Sequence, residues 1–201
     1  MKNTTIATAL SLIALASPFA NAYQKGDIIV RAGVASVQPN DSVTGTLKTL
    51  NGAVKSNTQL GLTASYMLSD KVGIELLAAT PFKHDITSNG NKIGSTKQLP
   101  PTLSLQYYPM DAKSALQPYV GLGVNYTAFF EEKSTLGDLK LDNSWGVSAQ
   151  LGADYAISEH VVLNAAMWYI DIDTKAKLGS ANIGTVSVDP WVYMVGVGYK
   201  F

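Results

Sequence analysis

Asn57 to Phe82 reads NTQLGLTASYMLSDKVGIELLAATPF. Leu60, Leu62, Ala64, Tyr66 and Leu68 share one parity, while Gln59, Gly61, Thr63, Ser65 and Met67 share the other. A period of two places the apolar set on one face of a β-strand. Ser69-Asp70-Lys71 supplies a short polar turn. Beyond it Ile74, Leu76, Ala78 and Phe82 keep one parity, with Gly73, Glu75 and Lys83 on the other. The stretch predicts a hairpin of two long strands. The fold then turns on where the apolar face points: into a protein core, or outward into lipid.

Composition favours lipid. Hydrophobic residues make up 46% of the chain and charged residues 15%, against about 25% charged in a typical soluble domain. The amino terminus carries one positive charge, Lys2, then an uncharged, mainly apolar run from Ile6 to Ala16 and the small-x-small sequence Ala20-Asn21-Ala22. Residues 1–22 read as a secretory signal peptide, cleaved after Ala22. That leaves residues 23–201 as one domain. With Lys2 removed the rest is one negative charge from neutral, so it has no basic field for nucleic acid. It has no cysteine, hence no disulfide framework. No later apolar run is long enough for a membrane helix. A closed barrel accommodates an exported, charge-poor chain, because closure pairs every backbone group within the lipid.

The fold expected is all-β: an eight-stranded antiparallel transmembrane β-barrel. Strands are expected at about 27–38, 58–69, 72–83, 97–108, 118–130, 144–156, 161–173 and 187–201. The connections 40–55, 83–96, 131–143 and 174–186 are long, 69–71 and 157–160 are short, and 109–116 is moderate. Long extracellular loops alternating with short periplasmic turns are the outer-membrane pattern. Parity assigns Val120, Leu122, Val124, Trp145, Val147, Leu151, Val195 and Val197 to the lipid face. Tyr66, Tyr107, Tyr155 and Tyr199 fall near one set of strand ends, and Phe82, Trp145, Tyr169 and Trp191 near the other. Two such rows match the interfacial girdles of a membrane barrel.

The inward parity is mixed. It carries glycines such as Gly33, Gly61, Gly121, Gly152 and Gly196, which either leave room in the lumen or relieve crowding and let the wall curve. Glu75, Gln106 and Gln150 lie among its polar members, expected as a polar floor. Leu77, Ala79, Phe129, Trp168, Val192 and Met194 lie among its apolar ones, mostly towards the long loops. The pattern suggests an apolar funnel above a polar plug. A small barrel's own packed core would give a similar pattern. Pro81, Pro100 and Pro101 offer no ladder donor. The third and fourth strands should therefore pair poorly near their outer ends, leaving a lateral seam.

Catalytic and metal signatures are missing. There is no G-x-S-x-G, and Ser88, His84 and Asp85 on one outer loop read as a solvated loop rather than a lipid-modifying site. The two histidines show no metal spacing. Asp171-Ile172-Asp173 at the rim is either solvated or a divalent-ion bridge to lipopolysaccharide. The chain reads as a non-enzyme with no cofactor.

Taken in order, the blocks NTQLGLTASYM, VGIELLAATPF, LPPTLSLQYY, PYVGLGVNYTAFF, DNSWGVSAQLGADY, NAAMWYIDIDT and VDPWVYMVGVGYKF resemble the outer-membrane protein W (OmpW/AlkL) family through the whole mature chain. The resemblance implies a Gram-negative outer-membrane location and a narrow hydrophobic channel for small hydrophobic molecules. Leu77, Ala79, Phe129, Trp168, Val192 and Met194 would line it. With the polar floor blocking straight passage, solute would leave sideways into the membrane, near the proline-bearing strands. The terminal Phe201 resembles the tail read by the outer-membrane assembly machinery. Expected partners are the lipid bilayer, lipopolysaccharide and small hydrophobic solutes. The rival expectation is a closed, packed barrel whose loops act as a surface receptor or adhesin.

Overall fold

A computed structural model describes residues 23–40, 42–44, 52–54, 56–88 and 91–201. The expected signal peptide, residues 1–22, and most of the first long loop lie outside the described residues. Eight antiparallel strands close on themselves. They are β1 (Ile28–Gln38), β2 (Asn57–Ser69), β3 (Val72–Ala79), β4 (Thr102–Tyr107), β5 (Leu116–Ser134), β6 (Ser144–Ala156), β7 (Val161–Ile170) and β8 (Trp191–Lys200). Each pairs with the next, and β8 returns to β1 through pairs such as Gly33↔Gly196. Closure leaves no edge strand to expose backbone groups to hydrocarbon.

The wall is apolar on its outer face. Leu60, Leu151 and Val197 are exposed, and Leu122 is 74% exposed, beneath no second protein layer. Their inward neighbours Gly61, Thr63, Gly121, Gln150, Gly152 and Gly198 are buried. Alternation along a strand has thus separated two environments, as the period of two required. Trp145, at 73% exposure, lies tilted against Tyr126 with ring centroids 4.8 Å apart, and Trp191 lies tilted against Tyr169 at 5.3 Å. Tyr66, Tyr107 and Tyr199 form the opposite row. Leu122→Arg places a charge on the lipid face of mid-strand. It should cost about 2–4 kcal/mol of folding free energy in liposomes, read from denaturant titration, while Leu122→Ile should be close to neutral.

The extracellular side differs from the loops expected. Residues expected as loops at 83–96 and 174–186 form hairpins, Phe82–Ser88 with Asn91–Leu99 and Asp173–Leu178 with Ala181–Ser187. The first hairpin also pairs with the upper part of β5, from Gly94↔Ser134 to Leu99↔Ala128. The second pairs with Leu139–Leu141 and Ser42–Val43 in a separate four-stranded sheet. Above the lipid both faces of a strand meet water or protein, so the lipid contrast that marks a strand in sequence disappears there. β5 consequently runs 19 residues rather than ending at 130.

The ends of β3 and β4 are also corrected. β3 stops at Ala79, and Phe82, assigned to the outer girdle, is 2% exposed and faces inward. The inward residues are odd-numbered up to Leu77 and even-numbered from Phe82 to His84. The pairing shows why. Leu77↔Thr102 closes the lower ladder and Phe82↔Gln98 opens the upper one. Four residues, 78–81, therefore face three, 99–101, across the gap. The additional residue rotates the ascending strand by one face. β7 ends at Ile170 and β8 begins after Pro190, each shorter than expected.

Candidate functional site

The interior is filled by inward side chains and divides into a polar lower layer, the expected floor, and an apolar upper layer, the expected funnel. Arg31, on β1, is fully buried and organises the floor. Its Nε donates to Asp154 Oδ1 at 3.0 Å, and Nη2 reaches the second oxygen of the same carboxylate. Nη1 donates to Glu75 Oε2 at 3.1 Å and to Ser65 Oγ at 2.7 Å. The forked guanidinium suits this task, because it presents several donors in one plane. Tyr23 Oη donates to Asp154 at 2.6 Å, Gln150 Nε2 to Glu75 at 2.7 Å, and Gln106 Nε2 to Gln150 at 3.2 Å. Asn164 Nδ2 bonds Tyr119 Oη and Asp154 Oδ1 at 2.9 and 2.8 Å. The Tyr119 ring lies under the Arg31 guanidinium, 5.6 Å from its centroid, a cation–π placement. The result is a buried, hydrogen-bonded polar layer across the lower barrel.

Glu75, Gln106 and Gln150, expected as the floor, therefore come together. Sequence reasoning missed Arg31, which bonds Glu75, and Tyr108, whose hydroxyl donates to Gln106 Oε1 at 2.9 Å, together with Tyr23 and Tyr119, which bond Asp154 and Asn164 respectively. Arg31 carried a usable signal: it shares parity with Gly33, and an ionisable group inside a membrane wall marks a special site. Tyr23 and Tyr108 lie off the strands, where parity says nothing.

Above the floor Leu77, Trp168, Ile170, Val192 and Met194 are buried together, with Ala79 and Phe129 half-buried against them. Phe82, Ile172 and Val188 continue this apolar lining upward. Between the two extracellular hairpins it meets a cleft of about 350 Å³. Ile86, Ile93, Leu136, Leu139, Leu141 and Ile183 are among its walls. Where floor meets funnel, Thr63 Oγ1, Ser148 Oγ and Trp168 Nε1 are buried without a protein partner. Their ladder neighbours are Leu77, Ile170 and Gln150 respectively.

The inward glycines relieve crowding rather than open space. A Cβ on Gly61 would lie 2.8 Å from Ala35 Cβ and 2.9 Å from Met194 Sδ. One on Gly152 would enter the Tyr119 ring. Eight strands give an interior only wide enough for side chains to fill, so some positions can carry none.

Beside the funnel lies the gap in the β3–β4 ladder. Thr80 N donates to Leu60 O at 3.2 Å, and Leu99 pairs with Ala128, so each residue is tied to the strand on its far side. Pro100 and Pro101 have no N–H to cross the gap. Asn125 Nδ2 holds the Pro101 carbonyl from the β5 side at 3.1 Å. Pro81, Pro100 and Pro101 thus border an interruption in the β3–β4 ladder.

His84 and Asp85 lie on opposite faces of their strand. His84 faces inward beside Gln98, its Nε2 3.1 Å from the amide nitrogen, whereas Asp85 pairs with Lys92 at 2.6 Å on the other face. At the rim burial, followed by the charges of Asp189 and Asp173, pushes the Asp171 carboxyl above its ordinary range. No three acidic or histidine side chains among the described residues are arranged to hold a metal ion.

The OmpW family model matches residues 24–201. Outer membrane protein W of Vibrio cholerae is 49% identical across the full length of both chains. The crystal structure of OprG from Pseudomonas aeruginosa superposes with a TM-score of 0.82 at 46% identity, covering 90% of this chain and 99% of that one. The solid-state NMR structure of AlkL in lipid bilayers shares the fold, with a TM-score of 0.72 at 22% identity over 100% of this chain and 97% of that one.

Proposed function

The chain belongs to the OmpW family of bacterial outer-membrane proteins, and on that footing we propose that it conducts small hydrophobic molecules through its apolar lumen and releases them sideways into the membrane. One observation carries the reading: buried apolar side chains are stacked from beneath the extracellular cleft down to a buried polar floor, beside the interrupted β3–β4 ladder. A solute entering from outside sheds water in the cleft and moves past Phe129, Ala79 and Leu77 towards Trp168, Val192 and Met194. The floor of Arg31, Glu75, Asp154, Gln106 and Gln150 stops axial passage. Ala78 to Pro81 and Leu99 to Pro101 offer the exit.

The energies suit a conduit. A solute burying about 150 Å² gains roughly 4 kcal/mol from apolar burial, equivalent to a dissociation constant near 1 mM. Occupancy that weak permits release, as conduction requires. The extracellular hairpins contribute walls to the cleft, so they belong to the same path. Phe201, exposed beside Tyr199 with ring centroids 4.8 Å apart, supports recognition of the carboxyl tail by the assembly machinery.

Leu77→Asp and Trp168→Asp test the path by placing a carboxylate in the funnel. Cells carrying either variant should take up a naphthalene-sized fluorescent hydrocarbon no faster than cells lacking the protein. Heat-modifiable gel mobility confirms that the barrel is folded. Unchanged uptake by a folded variant would remove the funnel from the mechanism.

A further inference from the structure

Hairpin Phe82–Asn91–Leu99 and the upper end of β5 bring lysines together on the outer face of the wall. Lys83 and Lys97 are directly opposed across the hairpin ladder, and Lys133 is paired with Ser95, two residues from Lys97 on the same strand. The neighbours Phe82, His84, Thr96 and Gln98 are buried inward, so Lys83 and Lys97 point away from the lumen, and Lys133 is exposed. Like charges directly opposed on a ladder destabilise it. A sheet that keeps such a pair has a use for the charge, or an anion that offsets it.

One carboxylate lies among the three. Lys97 Nζ is 2.7 Å from Glu131, and that hydrogen-bonded contact holds the Glu131 carboxyl below its usual range, with the charges of Lys133 and Lys83 adding to it. Glu131 adopts a left-handed backbone, φ 51°, which is uncommon outside glycine and strained. It sits where the ladder shifts register between Ser95 and Lys97. Three lysines around one carboxylate leave an excess of two positive charges. Among the described residues neither Lys83 nor Lys133 makes an ion pair of its own. Lys92 is neutralised by Asp85 but contributes, with Lys83, Ser95, Lys133 and Thr135, to a hollow of about 430 Å³.

Height identifies the anion. Tyr126, in the upper aromatic girdle, marks the outer lipid interface on β5. Phe130, opposite Lys97, lies four residues further along, about 13 Å of strand and roughly 10 Å of height at a typical tilt. The headgroups of the outer leaflet occupy that layer. We propose that Lys83, Lys97 and Lys133 form a docking site for the phosphorylated sugar headgroup of outer-leaflet lipopolysaccharide. The proposal does not rest on conduction, although the same hairpin supplies Ile86 and Ile93 to the cleft.

The test titrates the purified barrel in nanodiscs with lipopolysaccharide and with the same lipid enzymatically stripped of phosphate. Each lysine near an anionic surface contributes about fivefold in affinity. The combined variant Lys83→Gln, Lys97→Gln, Lys133→Gln should therefore bind on the order of a hundredfold more weakly, and the stripped lipid should lose a similar factor against the native protein. Glu131→Gln should tighten binding severalfold. All four side chains are on the surface, so these variants retain the barrel. Unchanged affinity in the lysine variant, or equal binding of both lipids, would overturn the assignment. So would complete displacement by millimolar inorganic phosphate, which would make this a site for the free anion.

Discussion

Arg31→Met is expected to leave a barrel that no longer withstands the urea concentrations the native protein survives. The guanidinium serves Asp154, Glu75 and Ser65 at once, and all four side chains are buried. Removing it strands two carboxylates in a low-dielectric interior, where breaking one partner from a buried pair costs about 3–5 kcal/mol. That is a large part of a folding free energy of roughly 5–15 kcal/mol. Methionine fills much of the volume, so the loss reports charge rather than a cavity. The combined variant Arg31→Met, Glu75→Gln, Asp154→Asn should recover most of the stability, because neutral amides no longer require the cation. Urea unfolding in detergent micelles, followed by tryptophan fluorescence, reads both. If Arg31→Met alone unfolds at the native midpoint, the plug is not what holds the periplasmic half of the wall.

A disulfide across the seam should stop uptake while leaving the fold intact. The native chain has no cysteine, so Thr80→Cys with Leu99→Cys introduces the sole pair. Both positions are held from their outer sides, Thr80 by Leu60 and Leu99 by Ala128, and are unpaired towards each other. Neighbouring strands bring such residues to the range a disulfide spans. Oxidised cells should take up the fluorescent hydrocarbon at the background rate, and a reductant should restore the native rate. The reduced variant is its own control for folding and expression. Full uptake by the oxidised, cross-linked protein would exclude the seam as an exit and direct attention to the floor.

The readable part of the molecule was the part that touches lipid. Leu60, Leu122, Leu151 and Val197 were assignable from parity because hydrocarbon outside and a crowded lumen inside impose opposite demands on alternate residues. The inward assignment of Leu77, Trp168, Val192 and Met194 came from the same contrast. Phe82 was assigned to the wrong face because nothing in TPFK announces that the ascending strand gains a residue on its neighbour; register is a relation between two strands. The hairpins at Phe82–Leu99 and Asp173–Ser187 were hidden for a different reason. Their strands stand above the lipid, and their mixed polar and apolar residues resemble loop composition. Lys83 and Lys97, the last and first residues of the expected third and fourth strands, were readable as neighbours; the continuation of their ladder upward into a hairpin was not.

The sequence by itself determined the alternation, the lipid-facing wall, the number of barrel strands and the sites of missing backbone donors at Pro100 and Pro101, all local properties of a chain that meets two media in turn. Only the tertiary structure decided which inward residues meet. Arg31 and Asp154 are 123 positions apart, and the closure of β8 onto β1 sets the circumference across which a guanidinium can reach a carboxylate. Electrostatic pairing, plug and seam depend on distances between strands, and those distances exist only once the ring has closed.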